Sequence, residues 1–133
     1  MTQFKFEFEK SYKEVDVAGT VYRVEFNDES LTRYQKELKN FDKESKELQD
    51  LIPDYETATD EEIDTVMNKQ KELVKRAIET FFGKDTFDEL YEKAGKSVSN
   101  LTGLMNYLTD IYVEESKGKA EQAQAKYVAN IKK

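Results

Sequence analysis

Three stretches of this 133-residue sequence carry the residue types that site chemistry needs. The acids Asp60, Glu61, Glu62 and Asp64, and the pair Glu114-Glu115, offer carboxylates of the kind that surround a divalent cation. The calcium-loop pattern D-x-D-x-D-G is absent, and residues 60–64 open a predicted helix, where acids favour the positive end of the dipole. Gly83-Lys84-Asp85-Thr86 has the glycine, lysine and threonine of a phosphate loop. Such a loop needs G-x-x-x-x-G-K-[ST] between a strand and a helix, so that several backbone amides surround the phosphates. A single glycine between two helical stretches reads instead as a cap and a turn. Paired carboxylates across a cleft could hydrolyse glycosides, but 28 acidic residues distinguish no pair. Asn100-Leu101-Thr102 matches the glycosylation acceptor, and is expected to be a chance match because MTQFKFEFEKSYKE lacks the apolar run of a secretion signal.

Cysteine and histidine are missing altogether. That excludes disulfides, thiolate nucleophiles, cysteine-ligated metal sites and the usual general base of hydrolytic triads. The net charge of −7 disfavours non-specific nucleic-acid binding. No apolar run is long enough to span a bilayer, so no membrane partner is expected. Lys117, Lys119, Lys126, Lys132 and Lys133 stand against Glu121 alone, which makes the last segment basic on an acidic body. It reads as a helix end whose lysines suit the dipole, with an interaction arm as the alternative.

These residues must be positioned by elements whose periods are written in the apolar pattern. Phe4, Phe6 and Phe8 alternate with Lys5, Glu7 and Glu9, the period-two mark of a half-buried strand. Val15 and Val17, then Tyr22, Val24 and Phe26, predict a hairpin turning at Ala18-Gly19, with Val17 facing Thr20, Val15 facing Tyr22 and Glu14 facing Arg23. Asn27-Asp28-Glu29-Ser30 supplies a cap and an acidic first turn for a helix. Leu31, Tyr34, Leu38, Phe41, Leu48 and Ile52 form its inner stripe, and Pro53 stops it. Thr59 and Glu62 form a capping box for a second helix, whose stripe is Ile63, Val66, Met67, Leu73, Val74, Ala77, Ile78, Phe81 and Phe82. Gly83 closes it; Thr86 and Glu89 suggest a second capping box on a short helix ending at Gly95. Ser97 or Ser99 opens the next helix, with Val98, Leu101, Leu104, Met105, Leu108, Ile111 and Tyr112 inward.

The predicted fold is therefore α+β and mainly α: an N-terminal β-hairpin or three-stranded antiparallel sheet followed by four to five helices. One domain is expected, with the sheet in 1–27, a helical body in 28–116, and a basic C-terminal helix in 117–133 after a break or bend at Gly118. That last helix is read as frayed, as an extension of the fourth, or as pairing with another copy in a homo-oligomer. Phe81 is expected to face inward, with Phe82 packing under the short helix or joining an exposed apolar patch. The partner-binding candidates are accordingly Phe82, Tyr127, Val128 and Ile131.

The succession VDVAGTVYRVEFNDESLTRYQK, an acidic spacer, VKRAIETFFGKDTFDELYEKAGKSVSNLTGLMNYLTDIYVE and a Lys/Ala-rich end resembles small proteins encoded in the tail-morphogenesis region of siphophages and prophages of Gram-positive bacteria. Its order of elements, above all helix–FFG–short helix–G, is similar to that of phage tail assembly chaperones. The resemblance implies a non-enzymatic protein without cofactors, working in the cytoplasm of the bacterial host. Its partners would be the tape-measure protein, whose apolar helical surface it coats, and the tail-tube protein it recruits. It also implies a longer form made by ribosomal frameshifting, with which Lys132-Lys133 is compatible. Amphipathic helices on an acidic body suit helix-in-groove contacts of that kind. The rival reading is an acidic phage-encoded inhibitor or adaptor that binds a host protein by charge mimicry; an enzyme ranks third.

Overall fold

The protein is described by a computed structural model that covers residues 3–131, with side chains described through residue 117. Its elements are β1 (Tyr12–Val17), β2 (Thr20–Glu25), α1 (Asp28–Leu51), α2 (Asp60–Phe82), α3 (Phe87–Lys93) and α4 (Val98–Ile131). The class is α+β, mainly α, with a two-stranded antiparallel sheet.

The hairpin has the register that its valines demand: Val17 faces Thr20, Val15 faces Tyr22 and Glu14 faces Arg23. Ala18 (φ 50°) and Gly19 (φ 92°) both take positive φ, as the tightest two-residue turn requires. The Asp16 carboxylate accepts the Gly19 N–H at 2.9 Å. Arg23 does not pair with the opposing Glu14 as expected. Its guanidinium instead meets Glu25 at 2.7 Å and lies 3.7 Å over the Tyr12 ring, where stacking adds to the charge pair.

No third strand forms among the described residues. Residues 3–10 have no regular structure, and Phe4, Phe6 and Phe8 are 92%, 79% and 88% exposed. The reason is topological. Pairing along β2 reaches its end at Phe26, whose N–H donates to the Ser11 carbonyl at 2.7 Å. At Asn27 the chain turns into α1, so the segment before Ser11 runs past the sheet with no strand beside it.

Asn27 caps α1 in extended conformation, its side-chain oxygen accepting the Ser30 N–H at 2.8 Å. The Thr59/Glu62 box forms in full at the start of α2. The second box does not form. Thr86 is helical (φ −86°, ψ −18°) rather than extended, so its hydroxyl donates back to the Gly83 carbonyl at 2.8 Å. Ser97 caps α4, accepting the Asn100 N–H at 3.2 Å. The same Asn100 donates its side-chain amide to the Ala94 carbonyl, so this sequon asparagine ties α4 to the end of α3. No break occurs at Gly118. α4 runs through it, because one glycine costs a helix only about 1 kcal/mol.

Two joined clusters make the core. In one, Val74, Ala77 and Ile78 of α2 meet Phe87 and Leu90 of α3, Leu101 and Met105 of α4, and Tyr22 of β2. In the other, Tyr34 of α1 meets Val15, Val24, Phe26, Phe81 and Leu108. Each fully buried side chain of this size contributes roughly 1.5–3 kcal/mol of transfer free energy.

Two small tests arise from these features. Gly83 ends α2 at φ 108° and ψ 169°, a region open essentially to glycine, although a Cβ there would meet nothing within 4 Å. Gly83→Ala should therefore lower stability by about 1–3 kcal/mol through backbone strain alone, read as a lower urea midpoint with an unchanged slope. The Tyr22 hydroxyl is buried without a hydrogen-bond partner among the described residues. Tyr22→Phe should stabilise the fold by about 1 kcal/mol, since it removes an uncompensated desolvation; a lower melting temperature would contradict this.

Candidate partner-binding groove

Past Phe41 on α1 and before Val74 on α2, the two helices leave the core: neither cluster includes any residue of 42–73. Within this projecting half only Ile52 and Val66 are buried, at the tip where the connecting loop lies. The apolar stripe nevertheless continues. Leu48, Ile63 and Leu73 are half-buried, whereas Leu51, Tyr55 and Met67 are exposed. Met67, expected on the inner stripe, is 52% exposed: among the described residues the core clusters that α2 shares with α3, α4 and the hairpin stop at Val74.

The result is an open groove along one side of the helix pair. Its upper part, about 630 Å³, has Leu48, Leu51 and Leu73 as floor and Glu44, Glu47, Lys69, Glu72 and Arg76 as rim. Its lower part, about 540 Å³, shares Leu51 and Lys69 and continues past Ile52, Val66, Glu61 and Glu62 to Thr59. From Thr59 to Arg76 the groove follows α2 for about 25 Å at 1.5 Å per residue. A smaller hollow of about 250 Å³, sharing Leu48 and Val66 with the groove, is lined by Ser45, Gln49, Tyr55 and Gln70 as well.

Arg76 anchors the upper end. Its Nε donates to both carboxylate oxygens of Glu37, at 2.9 and 3.1 Å, and its Nη2 pairs with Glu44. These bonds, to Glu44 first and then to Glu37, raise the pKa of the guanidinium further above its ordinary value. Among the described residues Glu37 is one of two buried polar residues, the other being Ser30. With Arg76 committed to Glu37 and Glu44, the rim keeps Glu47, Glu72, Glu61 and Glu62 against Lys69, so the groove is acidic with an apolar floor.

Chemically, such a surface suits binding. Among the described residues no three acids, histidines or cysteines are placed to hold a metal ion. Asp60, Glu61 and Glu62 lie in the first turn of α2, and Glu115 pairs with Lys13 at 3.0 Å, tying α4 to β1. No helix of the described residues is long and apolar enough to cross a membrane.

Phe82 is not in an exposed patch, nor does it pack under α3 alone. It is half-buried with its ring 4.9 Å from that of Tyr22, because the hairpin folds over the end of α2. The side chains of Tyr127, Val128 and Ile131, and the residues Lys132 and Lys133, lie outside the described residues. The groove residues Leu48 and Leu73 were read from sequence as core stripe, and Leu51 was not singled out. The available signal was a stripe longer than its predicted partners could cover. Compared with known protein families, curated proteins and solved structures, the chain matches none.

Proposed function

We propose that this chain is a non-enzymatic binding protein, a phage tail assembly chaperone whose α1–α2 groove receives an amphipathic helix of the tape-measure protein. One observation carries the reading: a groove about 25 Å long, rimmed by glutamates, in which the fold leaves Leu51 exposed and Leu48 and Leu73 only half-buried. A helix of about 16 residues fits that length. Its apolar i, i+3, i+4 and i+7 side chains would meet Leu48, Leu51 and Leu73, and flanking lysines or arginines would meet the rim. Covering such a stripe keeps a long helical partner from aggregating, which is the chaperone's task. Recruitment of tail-tube subunits and a bacterial cytoplasmic setting belong to the same proposal and rest on the resemblance in element order.

The experiment is co-expression with the neighbouring tape-measure protein. The expected result is co-purification and a gain in the partner's soluble yield; neither appearing would contradict the proposal. Leu51→Asp places a carboxylate on the groove floor at a position already 52% exposed. It should shift stability by no more than about 0.5 kcal/mol. Affinity should fall by roughly 30-fold or more, the effect of losing an interface hot spot, measured by titration calorimetry.

A further inference from the structure

The segment before the hairpin combines features that neither the core nor the groove uses. Phe4, Phe6 and Phe8 are 92%, 79% and 88% exposed, and the rings of Phe6 and Phe8 meet edge to face at 4.9 Å, on the same side of the backbone. Lys5 and Glu7 lie on the alternate side, joined at 2.9 Å. The chain thus presents a strand-like segment with an aromatic face and a charged face, and its own sheet offers it no neighbour. Exposed segments of this pattern are templates for pairing with another strand.

The charges specify which strand. In an antiparallel pair of two identical segments centred on Phe6, Phe4 faces Phe8, Phe6 faces Phe6, and Lys5 faces Glu7 twice. All six rings fall on one face and two opposite-charge pairs on the other, both favourable cross-strand combinations. The alternatives conflict. Centring on Glu7 sets Glu7 against Glu7, and centring on Lys5 sets Lys5 against Lys5. A one-residue slip puts phenylalanines opposite charges, and a parallel in-register pair aligns like charges throughout. In the favoured register the two copies of Ser11 lie at opposite ends of the ribbon, so the two folded bodies stand apart.

We infer that residues 3–10 form a self-recognition arm, which pairs antiparallel with the same arm of a second copy about a two-fold axis through Phe6. Face-to-face stacking of two such ribbons buries the six-ring face and gives a dimer of dimers at higher concentration.

The test uses the full chain in analytical ultracentrifugation. The expected mass is about twice the 15.6 kDa of one chain, or four times at high concentration. Phe4→Ser, Phe6→Ser and Phe8→Ser together should return it to one chain, with thermal unfolding of the body unchanged because none of these rings is in the core clusters. Lys5→Glu and Glu7→Lys should each weaken the dimer at least tenfold, and the double swap should restore it. The sequence has no cysteine, so Phe6→Cys introduces a lone thiol that should cross-link to its own copy under mild oxidation, whereas Gln3→Cys should not. A wild-type chain that stays at 15.6 kDa at 100 µM overturns the inference and assigns the arm to another occupant. A dimer insensitive to the arm substitutions, or one that cross-links at position 3 and not 6, overturns it as well.

Discussion

Tyr34→Ala should lower the unfolding free energy by about 3–5 kcal/mol, the range for deleting a buried aromatic ring, and the melting temperature by roughly 10–20 °C. The Tyr34 ring stacks on Phe81 of α2 at 4.4 Å and meets Phe26 and Tyr112 edge-on, each at 6.2 Å. Its hydroxyl donates to the Glu25 carbonyl at 2.7 Å, fastening α1 to the last residue of β2. Only 1% of it is exposed, so the cavity left by alanine has walls held by three helices and the hairpin. Tyr34→Phe separates the two contributions. It keeps the ring contacts, loses one hydrogen bond and should cost about 1–2 kcal/mol.

The same residue makes stability depend on alkaline pH. Burial raises the Tyr34 hydroxyl above its unfolded value of about 10. A pKa raised on folding contributes stability that is complete below pH ~10 and is lost as pH rises through the folded value. The gap between wild type and Tyr34→Phe should therefore narrow above pH 10. Some alkaline slope should persist in the variant, because burial raises Tyr22 in the same direction.

The second large effect is an asymmetry. Arg76→Leu should cost about 2–3 kcal/mol, because it leaves the Glu37 carboxylate 9% exposed without its partner. Removing one member of a fully buried pair costs about 3–5 kcal/mol; the lower figure reflects an Arg76 side chain 44% exposed. Glu37→Leu should cost under about 1 kcal/mol, since Arg76 keeps both water and Glu44. The double variant should recover most of the loss, as a leucine pair fills the site without a stranded charge. Urea unfolding of the four proteins gives the coupling. Equal losses in the two single variants would contradict the asymmetry.

How much of this was legible in the sequence follows from how local each signal is. The hairpin register needed only the Val15-to-Phe26 alternation and a two-residue turn, all within a dozen positions. The Thr59 box was readable because cap and partner are three residues apart. Its near-copy at Thr86 failed because the motif specifies side chains and not the extended backbone a cap requires. Alternation at Phe4–Phe8 predicted a half-buried strand that does not form, because the pattern could not tell that β2 ends at the start of α1, leaving no neighbour. The Glu37–Arg76 pair carried no sequence signal, because its members lie 39 residues apart. The groove was hidden for the converse reason. Leu48 and Leu73 have core spacing, and only the assembled fold shows that the third layer stops short of them.

The proposed partner surface, the α1–α2 groove, is tested residue by residue by amide hydrogen exchange on the chain, alone and with the tape-measure protein bound. Exchange is expected to slow across 44–51 and 59–76, with little change in α3 and in α4 before residue 117. Protection concentrated on the α3–α4 face, with the groove exchanging as fast as in the free chain, would contradict the proposal.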